Sequence, residues 1–139
     1  MTSSTVFLCT FKRLLKISSN TKFYGLKNNY TYKTNLKNSI CGDKISIEIS
    51  LKKNTIQELR YETEACIFCQ ASASTLANIA KNTNLGDLRK NLSKYLNLSK
   101  KVPKKFNNLT YLLKDKYMNR KDCILLPFKA FYKAIKWYD

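Results

Sequence analysis

The chain has 139 residues, with 26 Lys+Arg against 9 Asp+Glu, five Cys and no His. A hydrophobic content of 44% supplies a core for one domain over residues 1–139, and the absence of His excludes Ser-His-Asp and Cys-His catalysis and every His-ligated metal site. The net charge of +17 admits nucleic acid, an anionic membrane surface or an acidic protein as partner, but basic residues spread along the whole chain read as a solvated lysine surface.

At the start, Val6, Phe7, Leu8 and Cys9 precede Lys12 and Arg13. A secretory signal would put the charge first, so the chain reads as intracellular and its thiols as reduced. Residues 1–42 hold no Asp or Glu and many Ser and Thr, which is also the composition of an organelle transit segment. The reading adopted is a basic first helix in a cytoplasmic protein of bacterial type, with an organelle matrix as the alternative if residues 1–20 are removed. Phe7, Leu8, Phe11, Leu14, Leu15 and Ile17 fall at helical spacing. No run reaches the roughly 18 apolar residues of a membrane span.

A polar stretch follows, with a short strand expected at Tyr30–Thr34. From Lys44 to Leu51 the pattern alternates: Ile45, Ile47, Ile49 and Leu51 point one way, and Ser46, Glu48 and Ser50 the other. Lys52-Lys53-Asn54 forms a turn, and Ile56–Thr63 returns as the second strand of a hairpin. A helix is expected over Ala71–Ala80. Asn84 caps a second helix with Leu85, Leu88, Leu92, Tyr95 and Leu96 on its apolar stripe. Pro103 interrupts, and Phe106, Leu109, Leu112 and Leu113 suggest a third helix. The last helix is expected to start with Pro127 in its first turn. Phe128, Phe131 and Ile135 then face the core, with Lys129, Lys133 and Lys136 opposite. Strands followed by helices predict an α+β fold: an antiparallel sheet of about three strands packed against four to five helices.

Three cysteines sit at element boundaries. Cys41, in Cys41-Gly42-Asp43, precedes the first clean strand; Cys66 follows the second; Cys123 precedes the last helix. A hairpin places Cys41 and Cys66 at one end of the sheet, and a packed C-terminal helix would bring Cys123 there too. Three thiolates and the Asp43 carboxylate would make a tetrahedral site that Zn²⁺ accepts, and thiolates also suit iron and iron–sulfur clusters. Gly42 permits the tight turn that faces Cys41 and Asp43 the same way. A helix starting just after Cys66 favours the thiolate there. The competing reading is a set of inert buried cysteines. Cys66 and Cys69 form one CxxC, a weak metal signal without a second, and Cys9 has no evident role.

The motifs add a family resemblance. Lys37-Asn38-Ser39-Ile40-Cys41-Gly42-Asp43 resembles the NPxCGD motif of the NifU/IscU/SufU iron–sulfur cluster scaffold family. Ala65-Cys66-Ile67-Phe68-Cys69-Gln70-Ala71-Ser72-Ala73-Ser74 is similar to its GCxxSxASAS segment. Arg120-Lys121-Asp122-Cys123-Ile124-Leu125-Leu126-Pro127-Phe128-Lys129-Ala130 resembles its C-terminal R.KC.LLPW.AL segment. The resemblance runs from about Leu14 to Ile135. It implies that Cys41, Asp43, Cys66 and Cys123 hold a transient [2Fe–2S] or [4Fe–4S] cluster or a metal, with Cys123 and Cys66 as sulfur acceptors. The long separation of Cys66 and Cys123 resembles the SufU branch. The IscU branch carries a His where this chain has Asp122, and its LPPVK chaperone motif has no match. Ser39 stands for the usual proline, Ala65 for the usual glycine, and Cys69 for the common serine, which makes Cys69 a candidate auxiliary thiol.

The resemblance implies a scaffold that takes sulfur from a cysteine desulfurase, adds iron and passes the cluster to acceptor apoproteins or carriers; it leaves a homodimer open. The alternative within the family is a zinc-bound sulfurtransferase of SufU type on the same four residues. A basic nucleic-acid-binding module with a structural zinc is the third reading, supported by Tyr and Lys between Phe23 and Lys37 but by no RNP-like or helix-turn-helix signature.

Overall fold

The computed structural model describes residues 12–96, 107–113 and 115–136. The expectations on Phe7, Leu8, Cys9, Phe11, Pro103 and Phe106 lie outside those residues, as do those on the side chains of Tyr95 and Leu96.

Helix α1 covers residues 12–18 and buries Leu14 and Ile17. Three antiparallel strands follow: β1 (Tyr32–Lys37), β2 (Lys44–Lys52) and β3 (Thr55–Glu64). The first starts two residues later than the short strand expected at Tyr30–Thr34 and ends three later. Lys53 turns the β2–β3 hairpin at φ +57°. Helix α2 (Ile67–Ala80) leads to a two-residue strand, β4 (Thr83–Asn84), which pairs with Thr55 and Ile56 of β3. The sheet order is β1-β2-β3-β4. Then come α3 (Leu85–Leu96), α4 (Asn107–Leu112), a 3₁₀ turn (Asp115–Arg120) and α5 (Lys121–Ala134). The fold is α+β, as expected, with β4 the added strand. No described helix is long and apolar enough to cross a membrane.

Period-two alternation puts Ile45, Ile47 and Ile49 on the inner face, where each is at most 1% exposed. Helices α2 and α5 pack on that face and on each other. Ala71, Ala73, Ala77 and Ala80 of α2 are all buried, and their small side chains let a helix enclosed on several sides approach its neighbours closely. Phe128 and Phe131 of α5 and Ile135 at its C-cap are buried, and Lys129, Lys133 and Lys136 are exposed, as the spacing predicted. Asn84 caps α3: its Oδ1 accepts the Asp87 N–H at 3.1 Å.

The last helix begins six residues earlier than the expected start at Pro127, with Lys121. Pro127 lies inside it and has no N–H to offer the Cys123 carbonyl four residues back. Helix α2 likewise starts four residues before Ala71, at Ile67.

The outer face of the sheet is not simply solvated. Residues 23–25 run beside β3: Tyr61 N–H donates to Phe23 O at 3.3 Å and Gly25 N–H to Tyr61 O at 2.8 Å. The chain then crosses to Glu48, which is 1% exposed despite its place on the polar side of β2. Its Oε1 accepts the N–H groups of Lys27 (2.8 Å) and Asn28 (3.1 Å), and Lys33 Nζ lies 3.7 Å from Oε2.

Candidate metal and sulfur site

The strand register places the site. Lys37 of β1 pairs with Lys44 of β2, and Lys44 pairs with Glu64 of β3. The β1–β2 turn, residues 38–43, therefore emerges at the same end of the sheet as the β3–α2 junction at Ala65 and Cys66. Asn38 organises the turn: its N–H donates to Asp43 O at 2.7 Å, its carbonyl accepts the Gly42 N–H at 2.8 Å, and its side-chain oxygen accepts the Ile40 N–H at 2.9 Å. Gly42 has φ +79°, a conformation that costs a side-chain-bearing residue. Cys41 is left exposed, and Asp43 is turned inward to 7% exposure.

Helix α5 supplies the third group. Its first turn carries Cys123, 5% exposed, to 3.9 Å Sγ–Sγ from Cys41. The buried Ser72 hydroxyl of α2 donates to the Ile124 carbonyl, linking α2 to this turn of α5. The ligand atoms of Cys41, Asp43 and Cys123 all lie within 4.8 Å of one another. Cys66 stands beside this trio rather than within it. It is the N-cap of α2, in extended conformation (φ −68°, ψ 167°) and half-buried, and its N–H donates to Asp43 Oδ1 at 3.3 Å.

Cys69 lies one helical turn on, fully buried in the main core. Burial pushes its thiol well above the usual range, and the negative charges of Asp43, Cys66 and Cys41 push the same way. Burial likewise raises the Cys123 thiol, followed by the influence of Cys66, Asp43 and Cys41. A cluster of thiols and a carboxylate opposes further negative charge on its members. A bound cation reverses that and holds the sulfurs as thiolates.

Asp43 Oδ2 gives the fit test. It is buried and has no hydrogen-bond partner, a costly state for a carboxylate oxygen. A cation among the three groups would satisfy it. The donor set, sulfur with one oxygen, suits zinc or iron. The four described cysteines are all free thiols. A separate cavity of about 700 Å³, lined among others by Arg13, Asn20, Ser74 and Asn78, holds neither thiol nor carboxylate.

Of the four residues that sequence reasoning singled out, the structure brings Cys41, Asp43 and Cys123 together and sets Cys66 beside them. Sequence reasoning missed Asn38, whose position ahead of a Gly-containing turn was the available signal. It also missed Ile40, 87% exposed beside Cys41, and Arg120, which sits 5.8 Å over the Phe68 ring next to Cys66 and Cys69 in sequence.

Comparison of the chain with known proteins points to one family. The model for the NifU-like N-terminal domain matches residues 12–139. A Borreliella burgdorferi protein of uncharacterized function is 27% identical over 140 residues, covering 93% of this chain and 91% of its own. The Thermotoga maritima iron–sulfur cluster assembly scaffold protein IscU is 24% identical over 131 residues, covering 88% and 89%. In three dimensions the fold is similar to a Fervidobacterium islandicum AW-1 protein assigned as an iron–sulfur cluster assembly scaffold for the SUF system. That match has a TM-score of 0.75, 20% identity, and coverage of 88% of this chain and 93% of that one.

Proposed function

Because the chain belongs to the NifU-like N-terminal domain family, we propose that it is a single-domain iron–sulfur cluster assembly scaffold with the cluster as its cargo. Cys41, Cys66 and Cys123 hold the cluster, and Asp43 is the fourth and most easily displaced ligand. The observation that carries this reading is the buried, partnerless Asp43 Oδ2 beside the two free thiols of Cys41 and Cys123. Cys66 joins them by a side-chain rotation at its half-buried N-cap position.

A cysteine desulfurase supplies sulfane sulfur as a persulfide. Cys66 is the first acceptor, because it is more open to a large partner than Cys123. Its thiolate attacks the donor's terminal sulfur, the donor S–S bond breaks, and the donor leaves as a thiolate. Cys123, whose thiol is influenced by Cys66, is the second acceptor. Ferrous iron is the other substrate. A carboxylate is a harder donor than a thiolate and binds a cluster less tightly, so Asp43 opens the site for transfer to an acceptor protein. The free thiols suit a reducing compartment such as the cytoplasm.

A second reading draws on the same donors: three sulfurs and one oxygen also satisfy tetrahedral zinc. Zinc would keep the thiols ionised, and the chain would then relay sulfur without building a cluster. Anaerobic isolation separates the two. The scaffold reading expects brown protein containing iron and acid-labile sulfide, with both lost in Cys66→Ser and Cys123→Ser. Colourless protein with one zinc per chain and no sulfide overturns it in favour of the relay.

A further inference from the structure

We infer that Cys69 is a resolving thiol: once Cys66 carries a sulfane sulfur, Cys69 expels it as hydrosulfide and closes a Cys66–Cys69 disulfide. This rests on the reading of Cys66 as the sulfur acceptor.

The placement of the pair carries the argument. Cys66 caps α2 in extended conformation and is half-buried, and Cys69 lies in the first turn of that helix, fully buried. Residues three apart are neighbours on a helix. The pair therefore sets an accessible sulfur at the helix N-terminus, with a second sulfur shielded behind it. Burial keeps Cys69 a neutral thiol, so its proton passes to the departing sulfur as it attacks, and proximity offsets the weaker nucleophile. No described hydrogen bond engages the Cys69 side chain, and it lies outside the trio formed by Cys41, Asp43 and Cys123.

The chemistry meets a need of the proposed function. A desulfurase delivers sulfane sulfur, whereas a cluster contains sulfide, so reducing electrons must come from somewhere. In the persulfide anion on Cys66, the outer sulfur bears the negative charge. Cys69 Sγ attacks Cys66 Sγ, and the bond from Cys66 Sγ to the outer sulfur breaks. The outer sulfur leaves with that electron pair, takes the Cys69 proton and departs as HS⁻. The two cysteine sulfurs are oxidised to a disulfide, and the sulfane sulfur is reduced by the same two electrons. A dithiol reductant or glutathione then reopens the disulfide, after which Cys66 is again free to act as a ligand.

The test uses glutathione persulfide as the probe on the reduced, metal-free protein, without oxygen and with small thiols removed after loading. Released hydrosulfide is assayed and disulfides are mapped by peptide mass spectrometry. The expected result is hydrosulfide release in step with a Cys66–Cys69 disulfide. Cys69→Ser and Cys69→Ala, each checked for folding by circular dichroism, should keep the extra sulfur on Cys66 until dithiothreitol is added. Release by either folded variant at the parent rate overturns the inference, as does a disulfide mapped to Cys66–Cys123 or a parent that gains no sulfur on Cys66. Reconstitution with ferrous iron and preformed sulfide tests the scaffold reading separately. Cys69→Ser should load like the parent, and a parent that fails to load there fails as a scaffold whatever Cys69 does.

Discussion

The Cys66 N–H donates to Asp43 Oδ1 at 3.3 Å, so the carboxylate that ends the β1–β2 turn also holds the first residue of the α2 cap. Asp43 thus has one oxygen committed to the fold and one, Oδ2, without a protein partner. Replacing it by Ala removes a charge-assisted hydrogen bond and relieves a buried charge. The two effects oppose, and the net change in folding stability should stay within about 2 kcal/mol. Asp43→Ala should still take up iron and sulfide, and should lose its visible absorbance to a chelator severalfold more slowly than the parent. A variant that binds no iron would make Asp43 an essential ligand and end the account of it as the labile one.

Gly42→Ala separates backbone strain from crowding. Nothing lies within 4 Å of the added Cβ, while φ is +79°. Only the left-handed conformation is penalised, by roughly 1–2 kcal/mol. The larger effect should fall on the site, because relaxation of the turn moves Cys41 relative to Asp43. Urea unfolding and a Zn²⁺ or Co²⁺ titration, run side by side, check this. Unchanged metal affinity together with lowered stability would mean that the turn does not set the ligand geometry.

Glu48→Gln probes the segment crossing the outer face of the sheet. The amide keeps the shape of the side chain but loses the charge that receives the N–H groups of Lys27 and Asn28 and faces Lys33. Stability should fall by about 1–3 kcal/mol. Amide exchange of Lys27 and Asn28 should accelerate well beyond that of Ile47, while metal binding is unaffected. Equal protection of Lys27 and Asn28 in the variant would show that other contacts hold the segment.

Ser72→Ala tests the link between α2 and the turn that carries Cys123. The hydroxyl is buried and donates to the Ile124 carbonyl, so its loss should cost about 1 kcal/mol. The link also restrains the first turn of α5, so the Cys123 thiol should be alkylated faster by iodoacetamide in the variant. An unchanged alkylation rate would assign that restraint to the packing of Phe128 and Phe131 instead.

The parts of the fold with a strict period were legible. The alternation of Ile45, Ile47 and Ile49 gave β2 and its inner face, and the 3.6-residue spacing of Leu85, Leu88 and Leu92 gave α3. Element ends were less so. Ile67, Phe68 and Cys69 carry no strong helix preference, and α2 extends over them because its first turn packs into the core. Pro127 suggested a helix start, yet the packing of Cys123, Ile124 and Leu126 carries α5 through it at the cost of one hydrogen bond. Strand β4 is too short to have a period. In the site, the hairpin alone justified the closeness of Cys41 and Cys66. The arrival of Cys123 depended on the path of α5, which the family resemblance supplied and local pattern did not. The burial of Glu48 was illegible, because it depends on where residues 27 and 28 cross the sheet.

The placement of Cys123 on α5, the last described helix, also orders events during synthesis. A ribosome makes Cys41, Asp43, Cys66 and the whole sheet before Cys123 exists, and the trio cannot assemble until α5 has emerged and docked. Until then the nascent chain presents only part of the candidate donor set, and a metal captured early would be held by fewer ligands. The order of synthesis thereby ties completion of the trio to the docking of α5 against α2 and the sheet.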